Sequence, residues 1–169
     1  MYKIYNTDLK TNKLEKIDEF KKGSWINVIS PSDEEIKNIC EKLEINEDFI
    51  IDSLDEQEKP RIEIEEDDNT ILFVIDVPVI EKENDAYVYS TMPLGIIFVR
   101  DDFIITVSIK KYMVTEKFAK SKIKNFVTYM KSRFLFQMML ENSLEYLELL
   151  RRINKETEIA ENILKTSMK

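Results

Sequence analysis

Leu94-Gly95-Ile96-Ile97-Phe98-Val99, then Arg100-Asp101-Asp102, then Phe103-Ile104-Ile105-Thr106-Val107: this stretch decides the fold. Two apolar runs rich in β-branched residues flank a short charged turn, which is the pattern of a β-hairpin. The run 94–99 is the longest clean apolar run in the chain and reads as a buried strand. It is far below the roughly 20 residues that span a bilayer.

Upstream of the hairpin, β-rich and helical segments alternate. Thr70 begins a β-branched run to residue 80, typical of a central strand. Ile62 and Ile64 alternate with charged residues over 61–65, as in a half-buried strand. Residues 86–92 alternate tyrosine with small residues, Trp25-Ile26-Asn27-Val28 reads as a short strand, and residues 2–7 read as an edge strand. Between these lie two helices. Ser32 with Glu35 forms a capping box that opens one through Ile36, Ile39 and Leu43. The other, short, turns Phe49, Ile50 and Leu54 inward and ends before Pro60. The sum is an α/β fold with a mixed sheet of six or seven strands and helices packed on it.

Near residue 110 the character changes to helix alone. One helix is expected over 115–130, with Phe118, Ile123, Phe126 and Val127 inward. A longer one is expected from 132 to the end, with Leu135, Met138, Met139, Leu147, Leu150 and Ile153 on its apolar side. Asn142 and Asn154 are points at which it could fold back into an antiparallel pair. No Gly, Pro or closing cap stops it before Lys169, so the chain reads as truncated. Residues 1–110 form the sheet subdomain and 111–169 the helical segment.

Composition narrows the chemistry. The 169 residues suffice for one domain with a sizeable core. Histidine is absent, which removes Ser-His-Asp and Cys-His catalysis and imidazole-bound zinc. Gly23 and Gly95 are the only glycines, so no glycine-rich phosphate loop can be written. Cys40 stands alone, reads as a small buried hydrophobe, and forbids an internal disulfide or a cysteine-cluster metal site. A metal bound here would sit on oxygen, as a hard ion such as Mg²⁺ or Ca²⁺ does. The opening residues show no apolar stretch of the kind a signal peptide needs, so none is expected and the chain reads as cytoplasmic.

Charge is unevenly spread. Residues 1–109 carry 12 Lys and Arg against 26 Asp and Glu, a net of −14, and residues 110–169 carry 13 against 7, a net of +6. An acidic chain of −8 overall is a poor match for nucleic acid. The basic part suits a solvated helix face, an acidic partner or the acidic half of another copy. Among the carboxylates, Asp48, Asp52 and Asp55 stand out because spacings of four and three put them on one helix face. Like charges this close repel unless a cation or a basic side chain lies nearby, and Lys59 and Arg61 are the basic candidates. Asp76, inside an apolar strand, must be paired or face solvent. The acidic pairs Glu34-Glu35, Asp67-Asp68 and Asp101-Asp102 are explained by a helix first turn and by solvated turns.

The ordered set Trp25-Ile26-Asn27-Val28, the helix after Ser32-Asp33-Glu34-Glu35, Ile50-Ile51-Asp52-Ser53-Leu54-Asp55, Lys59-Pro60-Arg61-Ile62-Glu63 and the hairpin resembles the cytoplasmic N-terminal domain of the CorA-type magnesium transporter family. The resemblance covers nearly the whole chain. It implies an α/β/α domain that assembles as a homopentamer on the cytoplasmic side of the cell membrane. The membrane would be reached through helices absent from these 169 residues. It implies no enzyme activity, no organic cofactor, and a regulatory Mg²⁺ held between neighbouring protomers. One carboxylate of that site would be Asp52, its partner lying beyond Lys169 on the adjacent chain. Ile51 and Leu140 stand where some relatives supply further carboxylates, a departure that counts against a second site. The expected function is divalent-cation sensing and assembly for a magnesium/cobalt transporter, without conduction by this domain itself. The alternatives are a stand-alone interaction domain, whose Met-rich stretch 134–140 would dock a helix, and the cytoplasmic domain of a zinc-transporting relative.

Overall fold

The computed structural model describes residues 1–84 and 86–167. The elements in chain order are β1 (Tyr2–Thr7), β2 (Leu14–Ile17), β3 (Ser24–Ile29), α1 (Asp33–Leu43), α2 (Asp48–Asp52), β4 (Arg61–Glu65), β5 (Thr70–Glu83), β6 (Ala86–Val99), β7 (Phe103–Ser108), α3 (Met113–Ala119) and α4 (Lys131–Ser167). The strands form one seven-stranded sheet in the order β2-β1-β3-β7-β6-β5-β4. It is mixed: β3 and β7 pair in parallel and the other neighbours are antiparallel.

Period-two alternation divides the strands between two cores. Ile97 and Val99 of β6, with Ile26, Val28, Leu72, Ile105 and Val107, face α1 and α2. Ile96 and Phe98, with Trp25, Leu94 and Ile104, face α3 and α4. The result is the α/β/α layering expected. The hairpin is as read: Val99 pairs with Phe103 and Leu94 with Ser108 across it. The capping box is also present, with Ser32 Oγ accepting from the Glu35 amide. Cys40 is buried, and burial, with Glu47 adding a smaller push, raises its thiol to about 11. That makes it the inert hydrophobe anticipated.

Four expectations need correction. β1 is not at the edge, because the unforeseen β2 pairs outside it. β4 exists, but Ile62 and Ile64 are 65% and 63% exposed. They pair opposite Phe73 and Ile71 on the α4 side, and at the sheet edge no helix covers them. The helix read over 115–130 is only α3. After it Ser121 and Asn125 take left-handed φ of 55° and 57°, and Thr128 exchanges hydrogen bonds of 2.9 and 3.0 Å with Thr7. Those tertiary bonds draw residues 120–130 onto β1, and Phe126 and Val127 still reach the core.

The fourth correction concerns the apolar side of α4, which is, as expected, one unbroken helix, here of 37 residues. Asn142 does not break it: its amide donates to the Asp76 carbonyl at 3.0 Å and its oxygen accepts from the Tyr112 hydroxyl at 2.8 Å. Leu135, Met138 and Leu149 are buried, whereas Leu147 and Leu150 point outward. Beyond Leu149 nearly every described residue of α4 is exposed, although the Tyr89 hydroxyl of β6 still donates to Glu156 at 2.9 Å. Lys169, where the sequence shows no cap, lies outside the described residues.

Candidate divalent-cation site

α2 begins as a five-residue helix because Phe49 and Ile50 bury against the sheet. It then lies unusually close to β6. The Ser53 hydroxyl donates to the Phe49 carbonyl at 2.7 Å, and Ser53 is fully buried. It sits over Gly95, where a Cβ would come within 1.9 Å of Ser53 Oγ and 2.5 Å of its Cβ. No side chain fits there, which explains one of the two glycines physically. The contact fixes the height of α2, and with it Asp52, above the sheet.

Asp52 and Asp48 then line a cleft of about 390 Å³ with Asn46, Phe49, Glu63, Ile64 and Glu65. Asp55 is not among them: the helix has ended, and its Oδ1 accepts from the Gln57 amide at 2.9 Å. Asp48 is held by Asn46 through bonds of 3.1 and 3.2 Å. The expected basic partner is Arg61 rather than Lys59. Arg61 Nη2 donates to Asp52 Oδ2 at 2.6 Å and to Glu63 Oε2 at 3.0 Å, while Nη1 meets Glu58 Oε1 at 2.5 Å. Burial works against the guanidinium charge, but the hydrogen bonds to Glu63, Glu58 and Asp52 outweigh it and hold the group above its ordinary value.

One guanidinium therefore neutralises part of a three-carboxylate cluster and leaves a net negative cleft. The side chains of Asp52 and Glu63 remain 38% and 49% exposed. Among the described residues, no group of three or more Asp, Glu, Cys or His side chains is arranged to enclose a metal ion. Oxygen donors of this kind suit a hard cation, but one copy of the chain supplies only part of a coordination shell. Ile51 and Leu140 are 49% and 60% exposed. They belong to helices on opposite faces of the sheet, so one copy does not bring them together. The convergence of Glu58 and Glu63 on Arg61 was not read from the sequence. Its signal was the Arg-x-Glu spacing of β4, which puts two charges on one side of a strand.

The profile of the family described as CorA-like Mg2+ transporter protein matches residues 20–169. The chain belongs to that family. A curated relative, the Cobalt/magnesium transport protein CorA of Methanocaldococcus jannaschii, is 30% identical over 83% of this chain and 47% of its own length. Two solved structures from that organism share the fold at 24% identity. The soluble domain of CorA superposes with a TM-score of 0.79 over 97% of this chain and 64% of that one. The complete CorA magnesium transporter gives 0.74 over 96% and 50%. The chain thus spans about half the length of the curated CorA relative. No helix among the described residues is long and apolar enough to cross a membrane.

Proposed function

We propose that this CorA-family domain is the divalent-cation sensing and assembly part of a magnesium/cobalt transporter. It would sit on the cytoplasmic side of the cell membrane, work as a homopentamer, and not conduct ions itself. The observation that supports this is the Asp52 cleft: carboxylates partly exposed, partly neutralised, and incomplete as a metal shell within one copy. Mg²⁺ is an ion that hard oxygen donors favour, with Asp52 as one ligand and a carboxylate beyond Lys169 of the neighbouring protomer as its partner. A cation bridging two acidic protomer surfaces offsets their repulsion and favours the symmetric assembly. Loss of the ion restores the repulsion and loosens the ring. Arg61 sets the threshold, because an arriving ion must compete with its guanidinium for Asp52.

Thermal melts test this. Millimolar Mg²⁺, against an ionic-strength-matched monovalent salt, should stabilise the wild type by up to about 1–2 kcal/mol through mass action. That is a shift of about 2–8 °C at this size. Asp52→Ala should lose most of it. Equal shifts in the two proteins remove Asp52 from the ligand set.

A further inference from the structure

We propose that the cleft between the β1–β2 turn, residues 121–130 and the first turn of α4 binds a small organic phosphate. This cleft lies on the opposite face of the sheet from Asp52. It measures about 600 Å³ and is lined by Asn12, Leu14, Ile123, Lys124, Tyr129 and Arg133 among others. That volume falls in the range of small-molecule sites. The chain carries 33 acidic residues, yet none lines this cleft.

Three nearby basic side chains are already neutralised. Lys117 pairs with Glu141 and Glu145, Lys120 with Glu116, and Lys131 with Asp101. Among the described residues, Lys124 and Arg133 meet no carboxylate within 4 Å. Arg133 turns instead to the Asn125 carbonyl at 3.5 Å and the Met130 sulfur at 3.7 Å. It also stands in the first turn of α4, which holds no acidic residue and where the helix dipole disfavours a cation. An anion in the cleft relieves both the lone cations and that mismatch.

The loop carrying Lys124 is tied down. Gln137 donates to the Lys124 carbonyl at 2.9 Å, the Thr128 amide donates to Thr7, and Phe126 and Val127 are buried. Two cations on anchored backbone in one cleft offer a recognition point for phosphate, with Arg133 able to bind phosphate oxygens in pairs. Ile123, Met130 and Tyr129, whose hydroxyl reaches Asn12 at 3.3 Å, offer an apolar surface for a planar group. A molecule with both a phosphate and a planar ring uses both halves of the cleft.

Trp25, the only tryptophan, reports on this wall: its ring lies 5.8 Å from that of Phe126, which lines the cleft. The full chain is titrated in chelator with adenosine 5′-monophosphate, with adenosine and inorganic phosphate as separate probes, and Trp25 fluorescence is read. A saturable response to the nucleotide is expected, with each half-molecule about tenfold weaker or more. Lys124→Gln/Arg133→Gln should weaken the nucleotide by about tenfold or more while leaving the unliganded Tm unchanged. Lys124→Gln alone, on an exposed side chain, gives the same reading if the double variant melts early. The proposal is overturned by no saturable response, by a response the variants keep, or by one that inorganic phosphate or matched chloride reproduces at the same concentration. Because divalent ions are chelated, each outcome is independent of the Asp52 reading.

Discussion

The two faces of the sheet are built from different materials. The α1/α2 face is almost wholly aliphatic, with Ile, Val and Leu from five strands meeting Ile36, Ile39, Leu43, Phe49 and Ile50. The α3/α4 face is aromatic: Trp25 lies 5.6–6.1 Å from the rings of Phe118, Phe126 and Phe134, and 5.0 Å from Tyr5. The aliphatic face is covered by α1 and α2, which follow one another in sequence, and carries the acidic cleft. The aromatic face is covered by α3, residues 120–130 and α4, and carries the basic loop. Its elements are held by tertiary bonds rather than by local pattern.

If that contrast is right, the aromatic face should be the less forgiving. Trp25→Ala removes a fully buried ring together with its Nε1 bond to Thr106 at 2.9 Å. It should cost about 3–5 kcal/mol in denaturant unfolding, the range for large aromatic deletions. Ile39→Val on the opposite face should cost only about 0.5–1.5 kcal/mol. Equal losses would dissolve the distinction.

The next largest effect belongs to the contact that seats α2. Gly95→Ala forces a methyl into Ser53 and should destabilise by about 1–3 kcal/mol, the usual cost of overpacking. Adding Ser53→Gly removes both clashing atoms, so a double-mutant cycle should show strong positive coupling. Additive losses would mean that Gly95 is needed for some other reason.

The smallest effect lies at the start of α1. Glu35 is held below its ordinary carboxylate value by the N-terminal amine, 2.6 Å away, and then by the Ser32 amide. A carboxylate depressed in the folded state stabilises above its unfolded value and loses that contribution as pH falls through the folded one. Wild type should therefore lose stability relative to Glu35→Gln below about pH 4.5. The site is largely exposed, so the difference should stay under about 1 kcal/mol. A difference that is flat across this window would contradict the pairing.

The same contrast explains what could be read from residues alone. The hairpin and both helices of the aliphatic face were readable from apolar spacing, which at α1 agrees with the capping box. Residues 115–130 misled because Phe118, Ile123, Phe126 and Val127 keep a helical spacing. Ser121 turns left-handed where the Ser121 and Lys122 amides close the end of α3 on Phe118 and Lys117, and the Thr7–Thr128 bonds that seat the loop join residues 121 positions apart. Ile62 and Ile64 misled because alternation reports which side of a strand is apolar, not whether anything covers it. At the candidate site spacing put Asp48 and Asp52 on one helix face but wrongly added Asp55, and the resemblance, not the spacing, singled out Asp52. The Arg61 cluster and the Ser53–Gly95 contact are three-dimensional and were not.

The most direct test of the account is a Mn²⁺ titration followed by electron paramagnetic resonance, on wild type and Asp52→Asn at concentrations where copies can associate. The account predicts saturable Mn²⁺ binding that Mg²⁺ displaces in the wild type and that Asp52→Asn weakens by about tenfold or more. Indistinguishable binding by the two proteins would contradict it.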